Sequence, residues 1–246
     1  MNYFTTMNLP APSYERFHEK LLHYWGQPQL AVSDFERALK TFFDVPDAIT
    51  FTNCFTAISL ALLHATKGRH KTVAIAGLAY RRTVDIVNWA GLTPVFVDSS
   101  PGNLSMDQDA LHLLLSRTEV GCILFQHPMV HIAEVDEYLS IARSHGVPIV
   151  FDSVEATGGY YHNERIGRFG IAEAFSLHPS KVINAAEGGV LTFGQETDFK
   201  AFMQTLAELG VACPETGRQL LFGIEPAHAV MGLASLECAR HAGFSR

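Results

Sequence analysis

The chain has 246 residues, of which 48% are hydrophobic and 17% are charged, and its formal net charge is -7. This composition is that of a globular protein, and the length allows one large domain, or one domain with a further fragment. The negative net charge and the lack of a lysine- or arginine-rich run argue against non-specific nucleic-acid binding. Neither a signal sequence nor an apolar run of membrane-spanning length is found, so we expect a cytoplasmic protein that binds neither nucleic acid nor a membrane.

The cysteine and histidine patterns do not predict a metal centre. Cys54, Cys122, Cys213 and Cys238 are far apart and form no CxxC pair, which argues against both a zinc site and a disulfide framework. The twelve histidines are scattered, and none falls in an HExxH arrangement. We therefore expect no metal and free, mostly buried thiols.

The first part of the chain predicts two helices, then a strand and a buried helix. Apolar residues recur at helical spacing over residues 13–25 and 33–43, and Ser33 is the expected N-cap of the second helix. A turn at residues 26–28 would join them. Residues 48–52 follow as a short strand, and a helix that is apolar on most faces begins near Asn53.

From residue 72 onward, strand and helix patterns alternate regularly. The predicted strands are residues 73–77, 93–98, 121–127 and 147–152, and the helices between them are residues 81–91, 107–116 and 135–145. Residues 196–210 form a further predicted helix, residues 211–217 a turn-rich linker and residues 226–241 a helix of small apolar residues. The alternation predicts an α/β fold with a mostly parallel sheet and crossover helices.

Residues 151–189 contain the candidate reactive groups. The apolar run VPIVF favours a buried parallel strand that ends at Asp152, and ligands of open α/β sheets bind at that end of the strands. A second apolar run, residues 172–177, leads into a polar loop that contains Lys181 and ends at the double glycine of residues 188 and 189. A carboxylate and an amine would then face one crevice.

That pairing has a use if the crevice holds pyridoxal phosphate. This cofactor needs a lysine amine for a Schiff base and an acidic partner that keeps its pyridine nitrogen protonated. Ser176 and a helix start could bind its phosphate. An aspartate at a strand end and a lysine on the surface are also common in proteins without such a site, so spacing alone leaves both interpretations open.

Four segments in order resemble one known family, the DegT/StrS-type aminotransferases, which make amino sugars on nucleotide carriers and belong to the fold-type I pyridoxal phosphate enzymes. The segments are FTNCFTAISLAL, AGLAYRRTVDIVNWAGLTPVFVD, VFDSVEATGG and FSLHPSKVINAAEGG, and the resemblance runs from about residue 33 to residue 237. It implies a large domain with a seven-stranded, mostly parallel sheet flanked by helices.

The resemblance also implies roles for individual residues. Lys181 would be the Schiff-base lysine and proton shuttle, Asp152 the partner of the pyridine nitrogen, and Ser176 a phosphate ligand. Glu155 would lie near the ring oxygen of the cofactor, and Tyr80 would stack on the pyridine face. His178 and Asn184 also match the family, and we expect His178 to be a further cofactor-binding residue and Asn184 to bind the substrate. Each of these residues also has an ordinary structural interpretation, but their joint occurrence in order favours a functional site.

Two departures from the family pattern lie near the expected site. Where the family has a small residue followed by a hydroxyl residue, this chain has Cys54 and Phe55, so we expect Thr56 and the backbone N–H groups of the helix start to bind the phosphate. Arg81 and Arg82 replace residues that are usually uncharged. They could bind a carboxylate or phosphate of the substrate, or simply lie in solvent at a helix start.

Family members continue into a smaller C-terminal domain that helps to close the active site, whereas this chain stops at Arg246. The resemblance therefore predicts an N-terminal helical arm at residues 1–46, a cofactor-binding large domain at residues 47–210, and a remnant at residues 211–246 that leads to a missing domain. Family enzymes are dimers, so we expect a homodimer whose site a partner subunit could complete.

The function implied is transfer of an amino group from an amino acid, with glutamate favoured, to a nucleotide-linked keto sugar. Two alternatives remain open. A related enzyme could use Asp152 and Lys181 for elimination or dehydration, since the cofactor carries the chemistry. A shortened chain could also be a non-catalytic partner of a full-length aminotransferase.

Overall fold

The computed structural model describes residues 13–128, 131–212 and 221–239. In these residues the α-helices are α1 (Tyr14–Tyr24), α2 (Pro28–Phe43), α3 (Cys54–Ala65), α4 (Arg82–Trp89), α5 (Gln108–Arg117), α6 (Val135–His145), α7 (Glu196–Glu208) and α8 (Pro226–Ala239). The strands are β1 (Asp47–Phe51), β2 (Thr72–Ala76), β3 (Thr93–Val97), β4 (Cys122–Gln126), β5 (Ile149–Asp152), β6 (Tyr160–Tyr161), β7 (Glu164–Arg165), β8 (Ala172–Ser176) and β9 (Gly189–Phe193). The alternation of helices and strands predicted from the sequence is confirmed.

Seven of the strands form one sheet in the order β1-β9-β8-β5-β4-β2-β3, and β6 and β7 form a separate hairpin. Within the large sheet only β9 runs antiparallel to its neighbours, β1 and β8; the other neighbouring pairs are parallel. The predicted mostly parallel, seven-stranded sheet is therefore confirmed. Six strands end at the same edge, which is where the candidate site residues lie.

A hydrophobic core lies on each face of the sheet. Because side chains alternate along a strand, Phe151 contributes to one face and Val150 to the other. On the first face Phe125, Phe151 and Phe175 pack with residues of α2, α5, α6 and α8. On the second face Leu124 and Val150 pack with residues of α3, α4 and α7. Both faces are covered, which explains the continuous apolar runs of the central strands.

The first and last helices described pack on the same face of the sheet. A methyl group added at Gly232 of α8 would lie 2.3 Å from the ring of Phe35 in α2, so the two helices approach closely at this point. Arg16 and Lys20 of α1 form ion pairs with Glu237 of α8. The proposed division of the chain at residues 46 and 210 thus separates helices that share one core with the sheet, and it stays a prediction.

The predicted start of α2 was wrong. Ser33 is not an N-cap: the helix begins at Pro28, with Gln27 as the cap residue, and the Ser33 hydroxyl donates to the carbonyl of Leu30. Proline favours the first helical position because its φ is already helical. An N–H at this position would have no partner within the helix, so its absence in proline costs nothing there. The helix therefore extends five residues further toward the N-terminus than the apolar pattern indicates.

Other predicted boundaries agree closely with the structure. Asn53 caps α3 by accepting the N–H of Thr56 at 2.8 Å, and Asp107 caps α5 in the same way through Ala110. Most of the predicted linker at residues 211–217 and the predicted end of α8 lie outside the described residues. Within the described part of the chain, no helix is long and apolar enough to cross a membrane.

Candidate functional site

Asp152 ends β5 at the edge of the sheet where the parallel strands terminate. Its side chain is buried and accepts the N–H of Val154 at 3.3 Å. Burial raises the pKa of this carboxyl to about 6, and the Val154 N–H acts in the opposite direction. Glu155 raises this pKa further and Lys181 lowers it, both by smaller amounts. The site therefore contains a buried carboxylate whose charged form is poorly stabilised by its surroundings.

The chain turns sharply after Asp152 and brings an acid to the candidate lysine. Residues Val154–Ala156 form a short 3-10 helix, and Glu155 in this turn forms an ion pair with Lys181, whose Nζ lies 2.5 Å from Oε1. Both side chains are partly exposed. The Lys181 amine is thus paired with a carboxylate and is still partly open to solvent.

Lys181 lies in the loop between β8 and β9, which is closed by its own backbone. The N–H of Leu177 donates to Gly188 and the N–H of Ala185 donates to Leu177, so both ends of the loop are joined. Asn184 bonds Ser235 of α8 through its N–H, and its side chain accepts the N–H of Ala186. The contacts found for Asn184 are internal to the loop and to α8, so they shape the lysine loop.

The double glycine lets the end of this loop approach the start of α3. A methyl group added at Gly189 would lie 2.5 Å from both the N and the Cα of Cys54. Ser176 pairs with Gly189 across the sheet. The Ser176 hydroxyl, the Gly189 backbone and the N-terminus of α3 therefore lie together, at the end of a helix where backbone N–H groups favour an anion.

The charges that act on the Cys54 thiol show that the start of α3 lies near both Asp152 and Lys181. Burial raises the pKa of its thiol well above the usual value, the nearby Asp152 raises it further, and Lys181 lowers it. Cys54, Asp152 and Lys181 thus lie close enough to act on one another. The structure brings the amine, the buried carboxyl and the helix N-terminus to one crevice.

The two residues after Cys54 are oriented by packing. Phe55 contacts Trp89 edge to face, with ring centroids 5.6 Å apart, and is partly buried against the core on that side of the sheet. Thr56 is buried, and its N–H is already bound to Asn53. The N–H groups at the start of α3 that remain for an anion are therefore those of Cys54 and Phe55.

Tyr80 lies beside the crevice with its ring 60% exposed. Its N–H donates to the side chain of Gln126 at 3.0 Å. Gln126 ends β4 and pairs with Asp152 of the neighbouring strand. The bond to Gln126 thus holds the backbone of Tyr80 beside the strand that neighbours β5, and the side chain of Tyr80 is largely exposed.

The remaining predicted residues are exposed at the rim. Arg81 caps α4 and Arg82 begins it; both are exposed, and no ion pair found among the described residues includes either. His178 is exposed, and its Nδ1 lies 3.0 Å from the hydroxyl of Ser180 in the same loop. Arg81 and Arg82 follow Tyr80 in the sequence and His178 precedes Lys181 by three residues, but all three side chains are exposed, whereas Asp152 is buried.

Three residues of the site were not predicted. Gln126 ends a strand beside Asp152, so the rule that ligands bind at strand ends could have indicated it. Glu173 is a fully buried acid within β8, and a charge inside an apolar run is itself a signal. Ser235 holds the lysine loop from α8, and no local pattern in the sequence marks it.

A model of the DegT/DnrJ/EryC1/StrS aminotransferase family matches residues 14–238. The chain is 31% identical over 214 residues to GDP-perosamine synthase of Caulobacter vibrioides, a match that covers 84% of this chain and 56% of that relative. It is 28% identical over 199 residues to the spore coat polysaccharide biosynthesis protein SpsC of Bacillus subtilis, covering 79% of this chain and 51% of the relative. The chain spans about half the length of the curated relatives it matches.

Solved structures share the fold. The chain is similar to DesI, crystallised in the presence of its TDP-sugar product, with a TM-score of 0.81 and 24% identity over 96% of this chain and 61% of that one. It is also similar to 3-amino-5-hydroxybenzoic acid synthase, with a TM-score of 0.83 and 21% identity over 95% of this chain and 64% of that one. The predicted fold class is confirmed by these likenesses.

Proposed function

Because the chain belongs to the DegT/DnrJ/EryC1/StrS aminotransferase family, we propose that it moves an amino group from an amino acid to a keto sugar carried on a nucleotide. The names of relatives support this substrate class: one is a GDP-perosamine synthase and another, from Campylobacter jejuni, is a UDP-4-amino-4,6-dideoxy-N-acetyl-beta-L-altrosamine transaminase. Glutamate is the donor we favour, and glutamine is the second candidate because several relatives are L-glutamine aminotransferases.

The proposed cofactor is pyridoxal 5'-phosphate, and the crevice fits it on three counts. The buried Asp152 carboxyl suits a protonated ring nitrogen, since a cation there would stabilise its charged form. The close approach of Gly189 to Cys54 leaves a helix N-terminus beside the Ser176 hydroxyl for the phosphate. Lys181 is the amine that would hold the cofactor covalently, and it is partly exposed beside both.

One observation carries the proposal: Asp152 is 6% exposed, yet Lys181 and Glu155 both act on its charge. A buried carboxyl with a raised pKa destabilises a folded protein at neutral pH, so it is more common where it serves a ligand than where it serves packing. Here the Lys181 amine is near enough to lower the pKa of that carboxyl. That combination suits a cofactor with a cationic ring nitrogen and an aldehyde.

The remaining residues bind, orient or move a proton. When bound, pyridoxal phosphate supplies an electron sink for breaking and forming bonds at the substrate's amine-bearing carbon. Lys181 Nζ would take the proton from the amine-bearing carbon of the donor as general base, and as general acid it would later give a proton to the sugar carbon that receives the amine. Glu155, 2.5 Å from the Lys181 amine, orients it when it is not attached to the cofactor. The exposed side chain of Tyr80 would cover one face of the cofactor and exclude water there.

The experiment that tests the function follows the transferred nitrogen. The purified chain with pyridoxal phosphate is incubated with isotopically labelled glutamate or glutamine and a set of nucleotide-linked keto sugars, and the sugar products are analysed by mass spectrometry. We expect label in an amino sugar, and none with Lys181→Ala. A product without nitrogen and without an amino-donor requirement would instead indicate elimination, and no product with any sugar would contradict the proposed activity.

We also propose that the chain acts in the cytoplasm as a homodimer. Apart from Tyr80, two large apolar side chains on the same side of the molecule as α4 are exposed, Leu78 at 60% just before this helix and Trp89 at 61% at its end. Exposed apolar groups clustered beside a site favour an interface, because burying them removes apolar surface from water. Light scattering on the purified chain is expected to give the mass of two copies, and a monomer at all concentrations would contradict this.

A further inference from the structure

Glu173 is a carboxylate in a place that favours an apolar side chain. It is the second residue of β8, between the buried residues Ala172 and Ala174, and is itself 0% exposed. Acids are almost never fully buried unless they are paired. The side chain points to the sheet face that also holds Phe175. Glu173 therefore needs an explanation that packing alone does not provide.

Its two carboxylate oxygens join two segments that flank the candidate site. Ser153 donates its hydroxyl hydrogen to Oε2 at 2.6 Å, and the N–H of Phe169 donates to Oε1 at 2.6 Å. Burial raises the pKa of Glu173 to about 7, and the bonds from Ser153 and Phe169 act against this rise. The acid thus bonds at once the residue that follows β5 and a residue in the loop that leads into β8.

Ser153 is the residue through which Glu173 reaches the site. It follows Asp152 directly, and its N–H donates to the carbonyl of Ala174 at 3.0 Å, so both its backbone and its side chain are tied to β8. Asp152 accepts the N–H of Val154 on the other side of Ser153. The same turn carries Glu155, the partner of Lys181.

We propose that Glu173 is a positioning residue: through Ser153 it fixes the start of the turn that orients the Asp152 carboxyl and the Glu155–Lys181 pair. The inference rests on the proposed cofactor chemistry, since its value to the protein is the placing of Asp152 against the ring nitrogen. Glu173 touches neither the cofactor nor the substrate in this account. It acts by holding Ser153.

Thr192 provides a matched control. It is a fully buried hydroxyl residue on β9, and its Oγ1 lies 3.5 Å from the backbone carbonyl of Glu173. It therefore contacts the same residue without contacting its carboxylate. Thr192→Val removes a buried hydroxyl from the same layer, whereas Ser153→Ala removes the bond to the Glu173 side chain. If cofactor binding depends only on general stability, both variants should weaken it. If it depends on the positioning of the turn, only Ser153→Ala should weaken it.

Two measurements on the full chain separate positioning from packing. The first is hydrogen exchange of the backbone over residues 153–157 without cofactor, followed by mass spectrometry. The second is the dissociation constant of pyridoxal phosphate. We expect Ser153→Ala and Glu173→Ala to exchange faster in this turn and to weaken cofactor binding by up to about tenfold, which is the change if the full free energy of one lost hydrogen bond to a charged group is coupled to binding.

Glu173→Gln should keep most of the slow exchange and of the cofactor affinity of the unmodified chain. Its amide oxygen can accept the N–H of Phe169 while its NH2 group donates to the Ser153 hydroxyl. Thr192→Val should leave both the exchange of the turn and the dissociation constant unchanged. Should Glu173→Ala fail to fold, Ser153→Ala makes the same test.

The inference is overturned if Ser153→Ala binds pyridoxal phosphate as tightly as the unmodified chain, or if Thr192→Val weakens binding equally. If the unmodified chain does not bind the cofactor, the proposed function fails instead, and the exchange of residues 153–157 still decides the structural part. Unchanged exchange in Ser153→Ala would then refute the role of Glu173 in holding this turn.

Discussion

Replacing Asp152 by asparagine should make the cofactor-free protein more stable while it weakens the cofactor site. The side chain is buried, and burial raises the pKa of its carboxyl from an ordinary value of 3.8 to about 6. At neutral pH the folded chain must keep a charge in a place that favours the neutral form. Asparagine has nearly the same shape, can still accept the N–H of Val154, and carries no charge.

The size of the effect follows from the pKa. Because the folded pKa is raised, the stability of the unmodified chain is full below about pH 4 and falls as the pH rises through about 6. The difference between the folded and unfolded pKa values corresponds to about 3 kcal/mol once the pH is well above 6. At about pH 5 roughly half of this penalty remains. Asp152→Asn should remove it.

The assay is urea unfolding of the cofactor-free chain at about pH 8 and about pH 5. Asp152→Asn should raise the free energy of unfolding by about 3 kcal/mol at the higher pH and by about half as much at the lower pH, and should bind pyridoxal phosphate more weakly than the unmodified chain. Asp109→Asn, an exposed change on α5, should alter stability by less than about 0.5 kcal/mol at both. A loss of stability in Asp152→Asn at pH 8, or an equal gain at both pH values, would refute the reasoning.

Two further variants, Gly189→Ala and Ser235→Ala, test the contacts that shape the crevice, and Gly232→Ala is the control for the first. Gly189→Ala places a methyl group 2.5 Å from the backbone of Cys54, so it should lower the free energy of unfolding by about 1–3 kcal/mol and weaken cofactor binding. In Gly232→Ala the added methyl group meets an aromatic ring of α2, so this variant should lose a similar amount of stability and bind the cofactor unchanged. Equal binding by the two glycine variants would contradict the role of the α3 start. Ser235→Ala removes the acceptor of the Asn184 N–H, so it should lower the free energy of unfolding by about 1 kcal/mol and speed hydrogen exchange in the lysine loop. Unchanged exchange in this loop would contradict the role of Ser235 in holding it.

Elements with strong local patterns could be predicted from the sequence. The helix predicted at residues 135–145 is α6, and the apolar run before Asp152 is β5. Both patterns reflect which side chains are buried, and the caps at Asn53 and Asp107 mark helix starts through a hydrogen bond made within three residues. Such signals need no knowledge of the rest of the fold.

The start of α2 shows where a local signal misleads. Ser33 is a good cap residue, but it lies within a helix that Pro28 begins. A serine inside a helix can bond the carbonyl of an earlier turn, as Ser33 does with Leu30. Residue type alone does not distinguish the two situations, because both satisfy the hydroxyl.

The site could be predicted only in part, since its contacts depend on the strand order. Asp152 and Lys181 follow from strand ends and from the family resemblance. The approach of Gly189 to Cys54 requires β9 to lie between β1 and β8, which are far apart in sequence. The bond from Tyr80 to Gln126 likewise joins the loop after β2 to the end of the neighbouring strand β4. The pattern of apolar residues within one segment does not indicate which distant segment will lie next to it.

The most direct test of the central claim is to locate the covalently held cofactor. The full chain is incubated with pyridoxal phosphate, reduced with borohydride, digested and analysed by mass spectrometry. We expect one modified peptide, with the pyridoxyl group on Lys181, and no modification of that peptide in Lys181→Ala. A pyridoxyl group on another lysine, or none in the unmodified chain, would contradict the assignment of this crevice as the cofactor site.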